Sequence, residues 1–443
     1  MNDMRGVPLG TKSPEAAALY ERALRHMVAF YGDPFATFEA LIAADPGWGL
    51  AHVVKANLIL TMTEPALVPD ARAALDTAAR LMNSDTEARE RDHLGASQLA
   101  LLGRWREAGD AWDRILQRHP RDMLALIAAH LFDFYRGDAR NLRARVARVL
   151  PEWDQDDPLY PYVLGMHAFG LEECNLYPQA EAAGREALAR DPLGPWAIHA
   201  VAHVMEMQGR YIEGADWLGE RRHDWSEDNG LAVHNWWHAA LFDLESLETD
   251  AALAMYDAQI GGSTAVINLQ WLDCAALLWR VKLLGAEVGD RWRHLATSWV
   301  DPVKHAGYYA FNDAHAMLAL LGSDDTSRAE ALLASARTKA QDATVTGDNQ
   351  AMAREVGLPL MTGLIAFQRG DMAEVAKQLY PLRTVAHHFG GSHAQRDVIE
   401  QTLLAACAAP GGDKSLGKLL LNERRLAKPT TPLTQHWLQR MAA

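Results

Sequence analysis

The segment "LALLGRWREAGDAWDRILQRHP" (99–120) constrains the fold more than any other stretch. An apolar helix ends near Gly103, a tight turn follows, and a second helix runs from about Arg106 to Pro120. Glycine suits the helix end because it tolerates a left-handed backbone, and proline stops the second helix because it has no N–H to donate. The same turn recurs at Gly137 ("YRGDARN"), Asn175 ("CNLYPQA") and Gly209 ("MQGRYIEGA"), at intervals of 34, 38 and 34 residues. It continues at Gly285, Gly322 and Gly370, and the degenerate "LESLETDAAL" (244–253) supplies the unit missing between Gly209 and Gly285. A period near 34 is that of tetratricopeptide repeats. A lone hairpin cannot bury its own apolar face, so such units must stack.

The expected fold is therefore all-α: a tetratricopeptide-like α-solenoid, a right-handed superhelix of about eight to ten hairpins. One continuous domain is expected over 1–443, with the clearest repeats at about 89–120, 160–192, 195–228, 232–258, 268–300, 308–336 and 355–384, and capping helices over 392–443. The stretch 336–350 is the expected long inter-helix loop. Apolar residues recur at three- and four-residue spacings and alternating β-branched runs are scarce, so strands are not expected.

Composition narrows the partners. A net charge of −14 argues against nucleic acid and against anionic membrane surfaces. Cys174, Cys274 and Cys407 are widely separated and odd in number, which gives no disulfide framework and no CxxC metal site. With no basic-then-apolar leader at the start and no apolar run of about 18 residues, a cytoplasmic chain is expected.

Six segments carry a family resemblance: "DPGWGLAH" (45–52), "HAVAHVMEM" (199–207), "HNWWHAALF" (234–242), "DCAALLWRV" (273–281), "FNDAHAML" (311–318) and "GGSHAQRDV" (390–398). Together they resemble the tetratricopeptide repeat protein 38 family, which includes the StaR-like proteins of glycopeptide-antibiotic gene clusters. The resemblance spans nearly the whole chain and implies an all-α repeat protein. For the StaR-like branch it implies a flavin-dependent hydroxylase role, but no GxGxxG follows a strand here to bind a dinucleotide.

Paired histidines mark the candidate site. His199 and His203 lie four apart, as do His234 and His238, so each pair shares one side of a helix. His199 and His203 precede Gly209 by ten and six residues, and His234 and His238 precede Ser246 by twelve and eight. Asp273 precedes Gly285 by twelve; Asn312, Asp313 and His315 precede Gly322 by ten, nine and seven. Successive first helices would thus carry imidazole or carboxylate groups at similar heights on the inner wall, within reach of one small ligand. The competing reading is structural: buried histidines often bond across a hairpin, and Trp236 and Trp237 suggest packing.

Imidazoles four apart suit zinc or iron, with His199, His203, His234 and His238 as ligands. Ala200 and Asn235 occupy the position of a metalloprotease general base, so that mechanism is excluded. "ERDH" (90–93) and "ERRH" (220–223) have di-iron spacing, but their charged surroundings point to solvated faces. Towards the C-terminus, Ser392 and Gln395 form a capping box, and His393 and Arg396 in that first turn would suit an anion. Glu355 is expected to face the same cavity.

The sequence thus predicts a His-rich pocket for a small, anionic ligand. His203, His238, Asp273, Asp313, His315 and His393 are the candidate catalytic groups for acid–base or metal-assisted chemistry, of hydrolase or hydroxylase type. His199, His234, Trp237, Asn312, Glu355, Ser392 and Arg396 are the candidate ligand-binding groups. The alternative is a scaffold that binds a protein or peptide partner in its groove.

Overall fold

The computed structural model describes residues 1–299, 301–344, 346–428 and 431–442. Apart from two isolated bridges (Asn2 with Pro8, Tyr31 with Asn229), all regular structure among the described residues is helical. The chain packs as two compact units. The first comprises Met1–Val201 with Glu227–Leu231 and Thr346–Asp348; the second comprises Ala202–Ser226, Ala232–Val345 and Asn349–Ala443. Both are built of helices packed in neighbouring pairs, the helical-repeat architecture expected from the turn spacing.

In the first unit, hairpins form from Pro14–Ala29 with Pro34–Ala44, Gly49–Thr61 with Val68–Leu81, and Ala88–Leu101 with Trp105–Arg118. Met123–Tyr135 with Ala139–Val149, and Tyr160–Glu172 with Tyr177–Arg190, complete it. The two N-terminal hairpins lie outside the repeats the sequence marks clearly. Phe30 adopts the left-handed backbone at the end of the first helix, with Gly32 also left-handed two residues on, and Thr63 does so in the second hairpin. The "ERDH" segment is corrected in part: Glu90 and His93 are buried, while Arg91 is exposed. Arg89 donates to Asp122 at 2.6 Å, and the His93 ring lies 2.9 Å from the same carboxylate. Glu90 accepts from the Gly10 N–H at 2.7 Å and the Trp48 indole at 2.9 Å. Its charges compensate one another inside the core, so a charged sequence here marks a buried network rather than a solvated face. "ERRH" is solvated at Glu220, Arg222 and His223, as expected.

The second unit is framed by α1 (Pro195–Met207, of which Ala202 onward belongs to it), α2 (Ala232–Glu245), α3 (Asn268–Leu283) and α4 (Ala310–Gly322). Each is the first helix of a hairpin. Behind them come Leu358–Arg369, α5 (His393–Ala408) and α6 (Lys414–Ala427). The expected loop 336–350 is shorter than predicted, since the preceding helix runs to Ala340.

The turns correct the register of the candidate residues. The left-handed residue is Gly209 after α1 and Gly285 after α3, but Leu247 after α2 and Asp324 after α4. Gly322 is still helical. Measured from these positions, His238 and His315 both stand nine before the turn, and Asn235, Asp273 and Asn312 all stand twelve before it. Three successive first helices thus carry a buried Asn, Asp and Asn at one height. Leucine and aspartate hide the turn because a left-handed backbone is normally the province of glycine.

Candidate functional site

Helix α2 gives the site its rigidity. It presents a half-buried His234 and the buried Asn235, Trp236, Trp237 and His238. The Trp237 ring is wholly buried, stacks on His234 at 5.3 Å, and lies under the Arg280 guanidinium at 5.5 Å. Trp237, a candidate ligand-binding residue, is buried and forms the wall against which the His234 ring stacks. Arg280 is held by the carbonyls of Ala276, at 3.1 Å, and Ala394, at 2.6 Å. Burial lowers the Arg280 pKa, and Asp397, Glu206 and Asp273 oppose that shift.

Each histidine of α2 leans on a buried carboxylate. His234 Nδ1 lies 2.8 Å from Asp273 Oδ2 on α3, and His238 Nδ1 lies 2.9 Å from Glu206 Oε2 on α1. A carboxylate that holds Nδ1–H turns Nε2 of the neutral ring towards the opposite side. The imidazoles themselves pack edge to face: His203 against His238 at 4.4 Å, and His234 against His238 at 4.9 Å. His199 lies one helical turn before His203 but in the first unit, since the division falls between Val201 and Ala202. Within the second unit, one ligand atom from each of His203, His234 and His238 lies within 4.8 Å of the others.

Glu206 is the group sequence reading missed. It follows His203 by three residues and so shares its helix face, the one signal that could have found it. Burial raises its pKa, opposed by Lys428, His203 and Arg280. The Lys428 ammonium donates to Glu245 at 2.8 Å, and Arg424 pairs with Asp397 at 2.5 Å. Burial works against the Lys428 charge, but Glu245, Asp397 and Glu206 hold it above its ordinary pKa. These partners come from three distant segments, and no local spacing announces them.

The remaining predicted residues divide. Asp313 was expected to orient an imidazole; its carboxylate instead accepts from the Gly307 N–H at 2.8 Å, closing the turn before α4. Burial pushes its pKa up to about 7. Asn312 is buried on the same helix. His315 Nδ1 bonds the Phe311 carbonyl at 2.8 Å, one turn back, and burial pushes its pKa down to about 4. Glu355 does not face a shared cavity. It is exposed on a π turn (Ala353–Gly357) and accepts from His388 at 2.8 Å. A π turn adds a residue to the helical turn and so rotates what precedes the next helix.

The capping box at α5 forms as expected: Gln395 N–H donates to Ser392 Oγ at 3.2 Å, and Ser392 N–H donates to Gln395 Oε1 at 2.9 Å. Arg396 donates to the Gly391 carbonyl, and its second nitrogen lies 3.2 Å from His393 Nδ1. Arg396 and His315 line a separate apolar cleft with Phe311, Leu364, Phe389 and Ile399. No protein-family model matches this chain. No helix among the described residues is long and apolar enough to cross a membrane.

Proposed function

We propose that this helical-repeat protein binds a divalent transition metal ion, zinc or iron, in its imidazole cluster. There it carries out metal-assisted chemistry on a small anionic ligand. One observation carries the reading: His234 and His238 each have Nδ1 on a buried carboxylate, while the His238 ring packs against both His203 and His234. Metal-binding histidines take this form, because the carboxylate fixes the ring and raises the basicity of the other nitrogen. Asp273 and Glu206 also supply two negative charges beside the cluster, matching a divalent cation. A tetrahedral shell with Zn–N near 2.1 Å sets its ligand nitrogens about 3.4 Å apart. The candidate ligand atoms lie within 4.8 Å of one another, so binding would draw the rings inward.

His234 has the most exposed ring named in these pairs, with 18% of its side chain accessible. It stands on the side of the cluster that water or an incoming anion reaches. Three imidazoles, His203, His234 and His238, with a fourth, open position form the zinc arrangement that brings a bound water to a pKa near 7. Burial of His203 and His238 disfavours a peptide groove at this place, since a chain could not reach them. Membership of the tetratricopeptide repeat protein 38 family, proposed on the sequence resemblance alone, is compatible with the helical-repeat fold and leaves the chemistry to the site.

The test is metal retention. The wild-type chain, loaded with cobalt(II) and desalted, should keep about one equivalent and show the absorption of a four-coordinate nitrogen site. The His203→Ala/His238→Ala double variant should lose the metal while keeping its helical circular dichroism. A wild-type chain that emerges metal-free after loading overturns the proposal. So does a double variant that binds as before, or one whose only change is a stability loss of several kcal/mol.

A further inference from the structure

The last hairpin of the second unit, α6 with Pro432–Ala442, reverses the charge of the chain. Residues 414–442 hold six Lys or Arg and one Asp or Glu, in a protein whose net charge is −14. Two of the six, Arg424 and Lys428, are buried and neutralise Asp397 and Glu245. Lys414, Lys418, Arg425 and Arg440 are exposed and form no ion pair among the described residues.

The outer face of α6 is patterned. Gly417, Leu420, Leu421 and Arg424 form its buried side. The opposite side carries Ser415, Leu419, Asn422 and Leu426, all exposed, at steps of four, three and four residues. Those are the a and d positions of a heptad, which make one seam along a helix. Leu419 and Leu426 are 66% and 88% exposed. A single exposed leucine is ordinary, but here two stand two turns apart on one seam. Lys418 and Arg425 each precede a leucine by one residue, so both fall at g, on the same flank. On the other flank, at e, Glu423 is already held by Arg383. The seam thus presents two apolar knobs beside two unpaired positive charges. Ser415 and Asn422 interrupt its apolar surface, which weakens the contact and suits a reversible partner.

We propose that the outer face of α6 docks an acidic amphipathic helix of another protein, whose apolar side chains pack around Leu419 and Leu426 while its carboxylates pair with Lys418 and Arg425. Charge selects this occupant. A second copy meeting the same seam antiparallel would set these cations against their own duplicates. A parallel second copy would offer them only Glu423, which Arg383 already holds. The negative charge elsewhere on the chain does not cancel the patch, because salt screens it beyond about 8 Å. No residue of the imidazole cluster takes part, so the inference stands apart from the metal reading.

The probe is a fluorescein-labelled peptide about three heptads long, with leucine at a and d and glutamate at e and g, whose like charges keep it from pairing with itself. A twin with lysine at e and g is the control. Titrated with the full-length chain, the glutamate peptide should bind with a Kd below about 100 µM by fluorescence anisotropy. The lysine twin should bind at least about tenfold more weakly. Leu419→Gln/Leu426→Gln should weaken the glutamate peptide at least about tenfold. Lys418→Glu/Arg425→Glu should reverse the preference between the two peptides. All four side chains are exposed, so helical circular dichroism should stay unchanged. The proposal is overturned if the two peptides bind alike, if neither binds at about 100 µM, or if the leucine variant binds as before. It is equally overturned if the wild type sediments as a dimer that the leucine variant dissolves, which would make a second copy the occupant. Binding to phosphatidylserine vesicles in place of the peptide would overturn it too, in favour of a lipid surface.

Discussion

Replacing Asp273 by Asn isolates the contribution of one carboxylate to the imidazole cluster. The amide is nearly the same size, and its oxygen can still accept from His234 Nδ1, now 2.8 Å from Asp273 Oδ2. What disappears is a full negative charge on a side chain only 2% exposed, where screening by solvent is weak. Loss of such an outer partner costs about 10–100-fold in metal affinity. That corresponds to about 1.4–2.7 kcal/mol. Competition with a chromophoric chelator, titrating zinc into wild type and Asp273→Asn, measures it directly. Asp313→Asn is the matched control: its carboxylate serves the Gly307 N–H, so zinc affinity should be unchanged. If Asp273→Asn binds zinc as tightly as wild type, the carboxylate does not tune the ring and the metal reading loses its main support.

Three further outcomes follow from other parts of the molecule. The Asp313 carboxyl has a folded pKa near 7, raised by burial against the Gly307 and Lys339 contributions, and an unfolded pKa of about 3.9. Between those values the native state holds the extra proton, so stability falls as pH rises, by at most about 4 kcal/mol. Urea unfolding at pH 5 and pH 8 should show Asp313→Asn lacking that fall and more stable than wild type at pH 8. His130 acts with the opposite sign: burial lowers its pKa to about 3, so its contribution is lost as pH drops from about 6.5 towards 3. His130→Met should flatten the acid side of the profile. Leu247 sits at φ 65°, and Leu247→Gly should stabilise by about 1 kcal/mol, read as a rise in the thermal midpoint.

The turn spacing carried the helical-repeat fold because each hairpin is a local event, closed by residues within a few positions of one another. Where the left-handed residue was Leu247 or Asp324, no glycine marked the place, and the alignment slipped by one residue and by two. Of the candidate site, the imidazole pairs were legible as i, i+4 ridges on two helices. Glu206 was within reach of the same argument. Lys428 and Asp397 were not, since Lys428 finds Glu245 183 residues away and Asp397 finds Arg424 27 residues away, separations that leave no periodic trace. His315 was placed on the right helix, but its bond to the Phe311 carbonyl was not legible, because a sequence does not say which ring nitrogen keeps the proton.

Lys428 and Arg424 come from the end of α6 and its exit, yet they neutralise Glu245 at the foot of α2 and Asp397 on α5. A ribosome delivers α1 and α2 long before it delivers those two cations. Until residue 428 has emerged, the growing chain must keep these acids wet or protonated, and the histidine helices cannot close over them. Completion of the imidazole chamber is therefore timed to a late moment in synthesis, and an ion arriving earlier would meet a half-built cage.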